Sequence, residues 1–266
     1  MEKDIMKRNN IKLSGRGEHV LVFAHGFGCD QYVWKDIAPA FEDKYRVVLF
    51  DYVGSGKSDK TAYSEERYST LDGYKQDLLE LCDALRLDKI IFVGHSVSSM
   101  IGMLASIERP ELMEKMVMIG PSPNFINDGD YYGGFEKSDI EGLLDMMEVD
   151  YEKWAAYLAP VVLQNESRPD LAKDFEEVLC SNDPAIMRQF AEVTFTSDVR
   201  SELQKLMVPT LILQTSFDAI APVKVGEYVH DQLPNSEFML MEATGHNPHI
   251  SDAEETIAKI KAYLAK

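Results

Sequence analysis

A serine set between small residues carries the sharpest chemical signal in the sequence. Ser96 lies in the segment VGHSVS, residues 93–98, where an apolar run ends and a helical pattern begins. A nucleophilic serine on a tight turn between strand and helix needs small residues two positions before and after it, because larger side chains would collide with the backbone. Gly94 and Ser98 meet this need, although glycine is the usual residue at the second position. We therefore predict that Ser96 is a nucleophile.

A serine hydroxyl is a weak nucleophile until a base removes its proton and a carboxylate orients that base. Two later turns, each just past an apolar run, supply such groups. His246 lies in EATGHNPH, residues 242–249, and Asp218 lies in QTSFDAIAP, residues 214–222. The sequence therefore predicts a catalytic triad of Ser96, Asp218 and His246.

A second histidine and a second aspartate compete for these roles. His249 shares the loop of His246, but it is expected to begin the last helix. Asp51 also follows an apolar run, and its position before a glycine-rich turn favours a role in that turn. We therefore prefer His246 as the base and Asp218 as the carboxylate.

Acyl transfer also needs two donors for the negative charge that develops on the carbonyl oxygen, and backbone amides serve well because they are rigid. The amide of Val97 directly follows the nucleophile. The second donor is expected after an early apolar run, in HGFG at residues 25–28, where glycines let the backbone approach a substrate. We predict that the amides of Phe27 and Val97 form an oxyanion hole.

Two other motifs resemble ligand sites but lack an essential part. The segment GSGKS at residues 54–58 ends like a phosphate-binding loop, yet the full motif needs glycine at position 51, where Asp51 stands. His246 and His249 have the spacing of metal ligands, but no third ligand follows nearby in the loop. We expect neither a nucleotide nor a metal site, and no cofactor.

Short runs of β-branched and aromatic residues alternate with amphipathic stretches along much of the chain. Strands are predicted at residues 20–24, 45–50, 89–93, 115–119, 209–214 and 236–241. Helices are predicted at residues 71–85, 96–107, 223–231 and 253–264. Such alternation is typical of the α/β class, in which a mostly parallel sheet carries helices on both faces.

Residues 121–200 break this alternation, because they contain helical patterns and no convincing strand. The four helical candidates span residues 138–147, 151–162, 170–179 and 184–195. We predict a core of residues 1–120 and 201–266, with residues 121–200 inserted as a helical lid. Parallel sheets bind ligands at the carboxyl ends of their strands, where this insertion is expected to lie.

The charge balance excludes some classes of partner. The 266 residues include 27 basic and 45 acidic side chains, a net charge of −18. This balance argues against binding nucleic acid or an anionic membrane surface. The sequence starts with polar residues and contains no apolar run long enough for a membrane span. It has three cysteines, an odd number, so we expect a cytoplasmic protein with reduced thiols.

Several segments together resemble the α/β-hydrolase family, and within it the RsbQ-like stress regulators of bacteria. They are FGCDQ at 27–31, LFDYVGSG at 49–56, GHSV at 94–97, YYGGFE at 131–136, RQFA at 188–191 and GHNPH at 245–249. Plant karrikin and strigolactone receptors are similar at a greater distance. The resemblance implies an α/β-hydrolase fold with a four-helix lid, and the order Ser, Asp, His along the chain is the order of that family.

The resemblance also implies a function. It implies that a small hydrophobic ester or lactone is bound, and hydrolysed, beneath the lid, and it places Phe27, Phe135, Leu158 and Phe195 near the pocket. It further implies a positive regulator of the general stress sigma factor that works with a PAS-domain PP2C-type phosphatase. The alternatives are a plain carboxylesterase for small esters, or a receptor that binds without hydrolysis, in either case without a phosphatase partner.

Overall fold

The structure is a computed structural model that describes residues 2–165 and 167–266, without the side chains of residues 2 and 3. Met1 and Glu166 fall inside the ranges predicted for the core and the insertion, and they lie outside the described residues. The strands are β1 (Lys12–Gly15), β2 (His19–Ala24), β3 (Tyr45–Leu49), β4 (Ile90–His95), β5 (Met113–Ile119), β6 (Thr210–Phe217) and β7 (Ser236–Thr244). The α-helices are α1 (Glu2–Arg8), α2 (Leu71–Ala84), α3 (Val97–Glu108), α4 (Lys137–Val149), α5 (Tyr151–Leu163), α6 (Pro169–Cys180), α7 (Pro184–Thr196), α8 (Val223–Gln232), α9 (Pro248–Ser251) and α10 (Ala253–Leu264). Short 3-10 helices span Gln31–Trp34, Ala38–Ala40, Lys60–Ala62, Pro110–Leu112 and Arg200–Lys205.

In the described chain, the strands form a single sheet in the order β1-β3-β2-β4-β5-β6-β7. Every neighbouring pair is parallel except β1 with β3. The central strand β4 is buried along its whole length, as expected for a parallel sheet covered on both faces. The predicted α/β class with a mostly parallel sheet is confirmed.

Helices pack against the sheet and complete the core. Helix α3 contacts β4 and β5, α8 contacts β6 and β7, and α10 contacts β7. The predicted strands and helices all occur, with ends that differ by a few residues. The first helix and β1 were not predicted. The four residues of β1 lie at the sheet edge, and none of them is buried, so they carry no apolar pattern in the sequence.

The segment between β5 and β6 contains α4, α5, α6 and α7, which we call the helical insertion (residues 121–200). Helix α5 packs on α4 and α6, and α4 packs on α7. Proline occupies the first turn of α6 and of α7, where its missing amide costs no hydrogen bond. The ring of Phe27, in the loop after β2, lies edge-on to Trp154, Phe190 and Phe195 at centroid distances of 6.0, 5.6 and 5.7 Å. The insertion therefore covers the carboxyl ends of the central strands.

The end of α5 is attached to the loop that follows β7. The last carbonyls of a helix have no partner within it. Here the amide of His246 donates to Val162 O at 2.7 Å, and Thr244 Oγ1 donates to Gln164 O at 3.0 Å. Gly245 lies between them with φ of 85°, and a Cβ atom at this position would come within 2.2 Å of Leu163 O. The loop and the helix end are thus packed too closely for a larger residue.

Across residues 2–165 and 167–266, we find no helix that combines the length and the apolar character needed to cross a membrane.

Candidate active site

Ser96 occupies a strained turn between β4 and α3. Its φ of 56° and ψ of −123° are unusual for a residue with a side chain, and its amide donates to Ile119 O on the neighbouring strand at 2.8 Å. Gly94 lies against the first turn of α3, since a Cβ there would come within 2.8 Å of the Ser98 backbone. Close packing of the backbone therefore explains why a small residue is needed two positions before the serine.

Ser98 replaces the second glycine of the usual motif without leaving a buried hydroxyl unpaired. Its Oγ donates to His25 O and lies 3.0 Å from Tyr52 Oη. Burial raises the pKa of the Tyr52 hydroxyl, and the hydrogen bond with Ser98 opposes this shift. The extra oxygen links the turn of Ser96 to the loop after β2.

The structure brings Ser96, His246 and Asp218 into one hydrogen-bonded line. His246 Nε2 lies 2.8 Å from Ser96 Oγ, and His246 Nδ1 lies 2.7 Å from Asp218 Oδ2. The other oxygen of Asp218, Oδ1, accepts from the amides of Ile220 at 2.8 Å and Ala221 at 3.0 Å. A carboxylate accepts hydrogen bonds only, so the proton sits on Nδ1 and leaves Nε2 free to accept from the serine.

The competing residues take other positions. His249 stacks on Trp34 at a centroid distance of 4.5 Å, and burial lowers its pKa to about 3. The carboxylate of Asp51 accepts from the amides of Gln31 at 2.8 Å and Lys57 at 2.9 Å. His249 is therefore a neutral ring in the core, and Asp51 holds two loops together.

Asp51 also explains why the glycine-rich turn lacks the geometry of a phosphate site. A Cβ atom on Gly56 would lie 2.6 Å from Asp51 Oδ2, so the turn is wrapped around a carboxylate. An anion there would be repelled. In the part of the chain that the structure describes, no group of three or more histidine, cysteine or acidic side chains is arranged to hold a metal ion.

Both amides predicted to form an oxyanion hole are available. The amide of Val97 is the first of α3, at the positive end of the helix. Residues Ala24 and Gly94 are register partners in the sheet, so the loop that carries Phe27 lies beside the turn of Ser96. Within residues 2–165 and 167–266, the amides of Phe27 and Val97 donate to no protein acceptor.

A small apolar cavity of about 30 Å³ borders Ser96 and His246. Its other lining residues are Phe27, His95, Leu158, Val162, Phe175, Thr194, Phe195, Ile220 and Asn247. Phe27, Leu158 and Phe195 thus lie where the resemblance placed them. The lining residues on α5, α6 and α7 beyond these were missed, because an apolar helix face looks alike in sequence whether it packs inward or lines a cavity.

Phe135, expected near the pocket, is not among the residues that line this cavity. Its amide donates to Phe125 O at 3.1 Å, and its carbonyl accepts from Asn127 N at 2.8 Å, which folds this segment back on itself. The ring of Phe125, instead, packs against Phe195 at a centroid distance of 5.0 Å. The fold-back could not be anticipated from the spacing of apolar residues.

Comparison of sequences agrees with this fold and this geometry. A family profile described as "alpha/beta hydrolase fold" matches residues 19–143, and another described as "TAP-like protein" matches residues 179–266. The chain belongs to the α/β-hydrolase family.

Named relatives span almost the whole chain. Karrikin insensitive 2 receptor IA of Petunia hybrida is 39% identical over 98% of this chain and 96% of its own length. Strigolactone esterase D14 of Arabidopsis thaliana is 39% identical over 94% of each chain. A solved structure of a hydrolase from Oleispira antarctica is 41% identical, covers 100% of this chain and 97% of its own, and superposes with a TM-score of 0.96. Relatives at this level of similarity carry the names of both esterases and receptors.

Proposed function

We propose that this protein is a cytoplasmic serine esterase that hydrolyses a small hydrophobic ester or lactone. The observation that carries the proposal is the line from Asp218 Oδ2 through His246 to Ser96 Oγ, with contacts of 2.7 and 2.8 Å, beside an apolar cavity. The esterase names of relatives such as strigolactone esterase D14 support it.

The proposed reaction follows from the positions of the atoms. Ser96 Oγ attacks the carbonyl carbon while His246 Nε2 takes the hydroxyl proton. The amides of Phe27 and Val97 stabilise the oxyanion, and Asp218 stabilises the imidazolium. His246 then protonates the leaving oxygen, which leaves an acyl group on Ser96. A water molecule, deprotonated by the same nitrogen, attacks the acyl carbon and releases the acid.

We assign residues 121–200 the role of a lid on a core of residues 1–120 and 201–266. The cavity of about 30 Å³ is far smaller than the roughly 300–1,000 Å³ of pockets that bind drug-sized ligands. We therefore propose that the helical insertion moves away from Phe27 to admit substrate.

The proposed nucleophile can be tested by covalent labelling. A fluorophosphonate probe should modify the protein once, and peptide mass spectrometry should place the adduct on Ser96. Ser98 and Ser99 serve as internal controls in the same peptide, because their hydroxyls already donate to His25 O and Gly94 O. Absence of labelling, or an adduct on a different serine, would refute the proposed esterase mechanism.

The cavity wall is proposed to limit the length of the acyl group. Leu158 is buried on α5 and lines the cavity. Leu158→Ala should therefore raise, several-fold, the ratio of kcat/KM for p-nitrophenyl hexanoate to kcat/KM for p-nitrophenyl acetate. The lost packing should cost about 2–4 kcal/mol of unfolding free energy. Leu144→Ala, on α4, is the matched control, because Leu144 is buried without lining the cavity. An equal change in acyl preference for both variants would argue against Leu158 as a wall residue.

A second proposed role is regulatory. The receptor names among the relatives favour a protein that responds to a small ligand. The resemblance to RsbQ-like regulators is the ground for proposing that it activates the general stress sigma factor through a PAS-domain PP2C-type phosphatase. The attachment of α5 to the loop of His246 offers a physical link between the site and the surface of the insertion.

The regulatory role can be tested by a pull-down between this protein and the purified phosphatase from the same organism, with wild type and with Ser96→Ala. Binding by wild type is expected. Retention of binding by Ser96→Ala together with a lost cellular stress response would assign the signal to hydrolysis. If wild type does not bind the phosphatase, either alone or in the presence of an ester that it hydrolyses, the regulatory role is refuted and the protein is a plain carboxylesterase.

A further inference from the structure

Two buried polar side chains line the cavity without a partner. Thr194, on α7, is 3% exposed, and Asn247, in the loop after β7, is 1% exposed. Among the described residues, Thr194 Oγ1 and both Asn247 Oδ1 and Nδ2 have no hydrogen-bond partner. The two residues belong to different elements, and both line the cavity that also borders Ser96.

Buried polar atoms in native proteins nearly always have a partner, and where such atoms line a cavity a bound group can supply that partner. Other buried threonines in this chain follow the rule. Thr210 Oγ1 donates to Val208 O at 2.9 Å, and Thr215 Oγ1 donates to Gly245 O at 2.8 Å. Thr194, which lines the cavity, differs from these threonines because its hydroxyl has no partner among the described residues.

The chemistry of the lining narrows what could bind. A hydroxyl and a carboxamide both donate and accept, and they match a neutral oxygen function such as a carbonyl, an ether or a hydroxyl. The described lining residues include no lysine, arginine, aspartate or glutamate, so a charged group would be buried without a counter-charge. The scissile carbonyl itself is already served by the amides of Phe27 and Val97.

We propose that Thr194 and Asn247 form a second polar subsite, which binds an additional uncharged oxygen of the substrate. The substrate class is then a small ester or lactone with a carbonyl, ether or hydroxyl oxygen a few bonds from the scissile carbonyl, because a cavity of about 30 Å³ brings all its lining groups close together. This inference rests on the proposed esterase function.

The test compares two esters of the same shape. p-Nitrophenyl methoxyacetate differs from p-nitrophenyl butyrate by one ether oxygen in place of a methylene group. After each kcat/KM is divided by the rate constant for alkaline hydrolysis of the same ester, wild type should prefer the methoxyacetate by about tenfold. Thr194→Val and Asn247→Leu should each reduce that preference about three-fold or more, because each should lower kcat/KM for the methoxyacetate more than kcat/KM for the butyrate.

Control variants separate recognition from folding. Thr194→Ser keeps the hydroxyl and should keep the preference. Thr210→Val removes a buried hydroxyl that lies outside the cavity lining, and it should also keep the preference. The melting temperatures of Thr194→Val and Asn247→Leu should be at or above that of wild type, because each variant removes unpaired buried polar atoms.

The outcomes distinguish this inference from the function on which it rests. If wild type hydrolyses neither ester faster than Ser96→Ala, the esterase proposal fails. If wild type hydrolyses both esters but Thr194→Val and Asn247→Leu retain the wild-type preference, the esterase proposal stands and the polar subsite is overturned. An equal loss of activity toward both esters would likewise overturn the subsite, because it would assign these residues to the shape of the cavity alone.

Discussion

Replacement of Ser96 by alanine is expected to lower kcat/KM for p-nitrophenyl acetate by about 10⁴-fold. The hydroxyl that lies 2.8 Å from His246 Nε2 is the attacking atom in the proposed mechanism, and alanine has nothing to replace it. The backbone strain at φ of 56° is the same for alanine as for serine, so the melting temperature should change by only a few degrees.

Steady-state hydrolysis and thermal unfolding of the two proteins check this expectation. Ser106→Ala is the matched control, because Ser106 is a buried serine on α3, the helix that follows Ser96, and it lies outside the lining of the cavity. Its kcat/KM should equal that of wild type. Esterase activity of Ser96→Ala within a factor of ten of wild type would contradict the proposed mechanism.

Replacement of Asp218 by asparagine is expected to lower kcat at neutral pH by about 10⁴-fold, although the shape of the site is kept. Asparagine Oδ1 can still accept from the amides of Ile220 and Ala221. Its NH₂ group would then face His246 Nδ1 and force that nitrogen to accept, which moves the ring proton to Nε2. A protonated Nε2 points a hydrogen at Ser96 and cannot remove the serine proton.

The pH dependence of kcat and the thermal stability of Asp218→Asn separate a wrong tautomer from a damaged fold. The melting temperature should stay close to that of wild type, while the loss of kcat is large. Asp51→Asn is the matched comparison, because Asp51 is the other carboxylate that the sequence allowed. It should lose stability through its contacts with Gln31 and Lys57 and keep most of the wild-type kcat. A larger loss of kcat for Asp51→Asn than for Asp218→Asn would reverse the assignment.

The sequence predicted the parts of the molecule that depend on the conformational preferences of neighbouring residues. A turn that needs small residues, a buried run that ends at a polar residue and a helical spacing of apolar residues are local features, and they located Ser96, Asp218, His246 and the four helices of the insertion. The meeting of the three side chains follows from the parallel sheet, which brings the carboxyl ends of its strands to one edge.

The parts that were missed depend on contacts between distant segments. Phe135 was expected near the pocket and does not line the cavity, whereas Phe175, which was not singled out, does. Thr194 and Asn247 look like ordinary polar residues in sequence. Their side chains are buried without a partner because α7 and the loop after β7 border the same cavity. The spacing of apolar residues in the sequence does not indicate that these two segments come together.

The hydrogen bond between the amide of His246 and Val162 O would couple the proposed lid motion to the proposed reaction. If α5 moves as a rigid body to admit substrate, it either breaks this 2.7 Å contact or draws the loop of His246 along with it. In both cases the alignment of the imidazole with Ser96 would be disturbed. On this proposal, the open protein exchanges ligand without turning it over, and the closed protein turns it over without exchanging it. Each catalytic cycle would then require one opening and one closure, and the rate of that motion would set an upper limit on turnover.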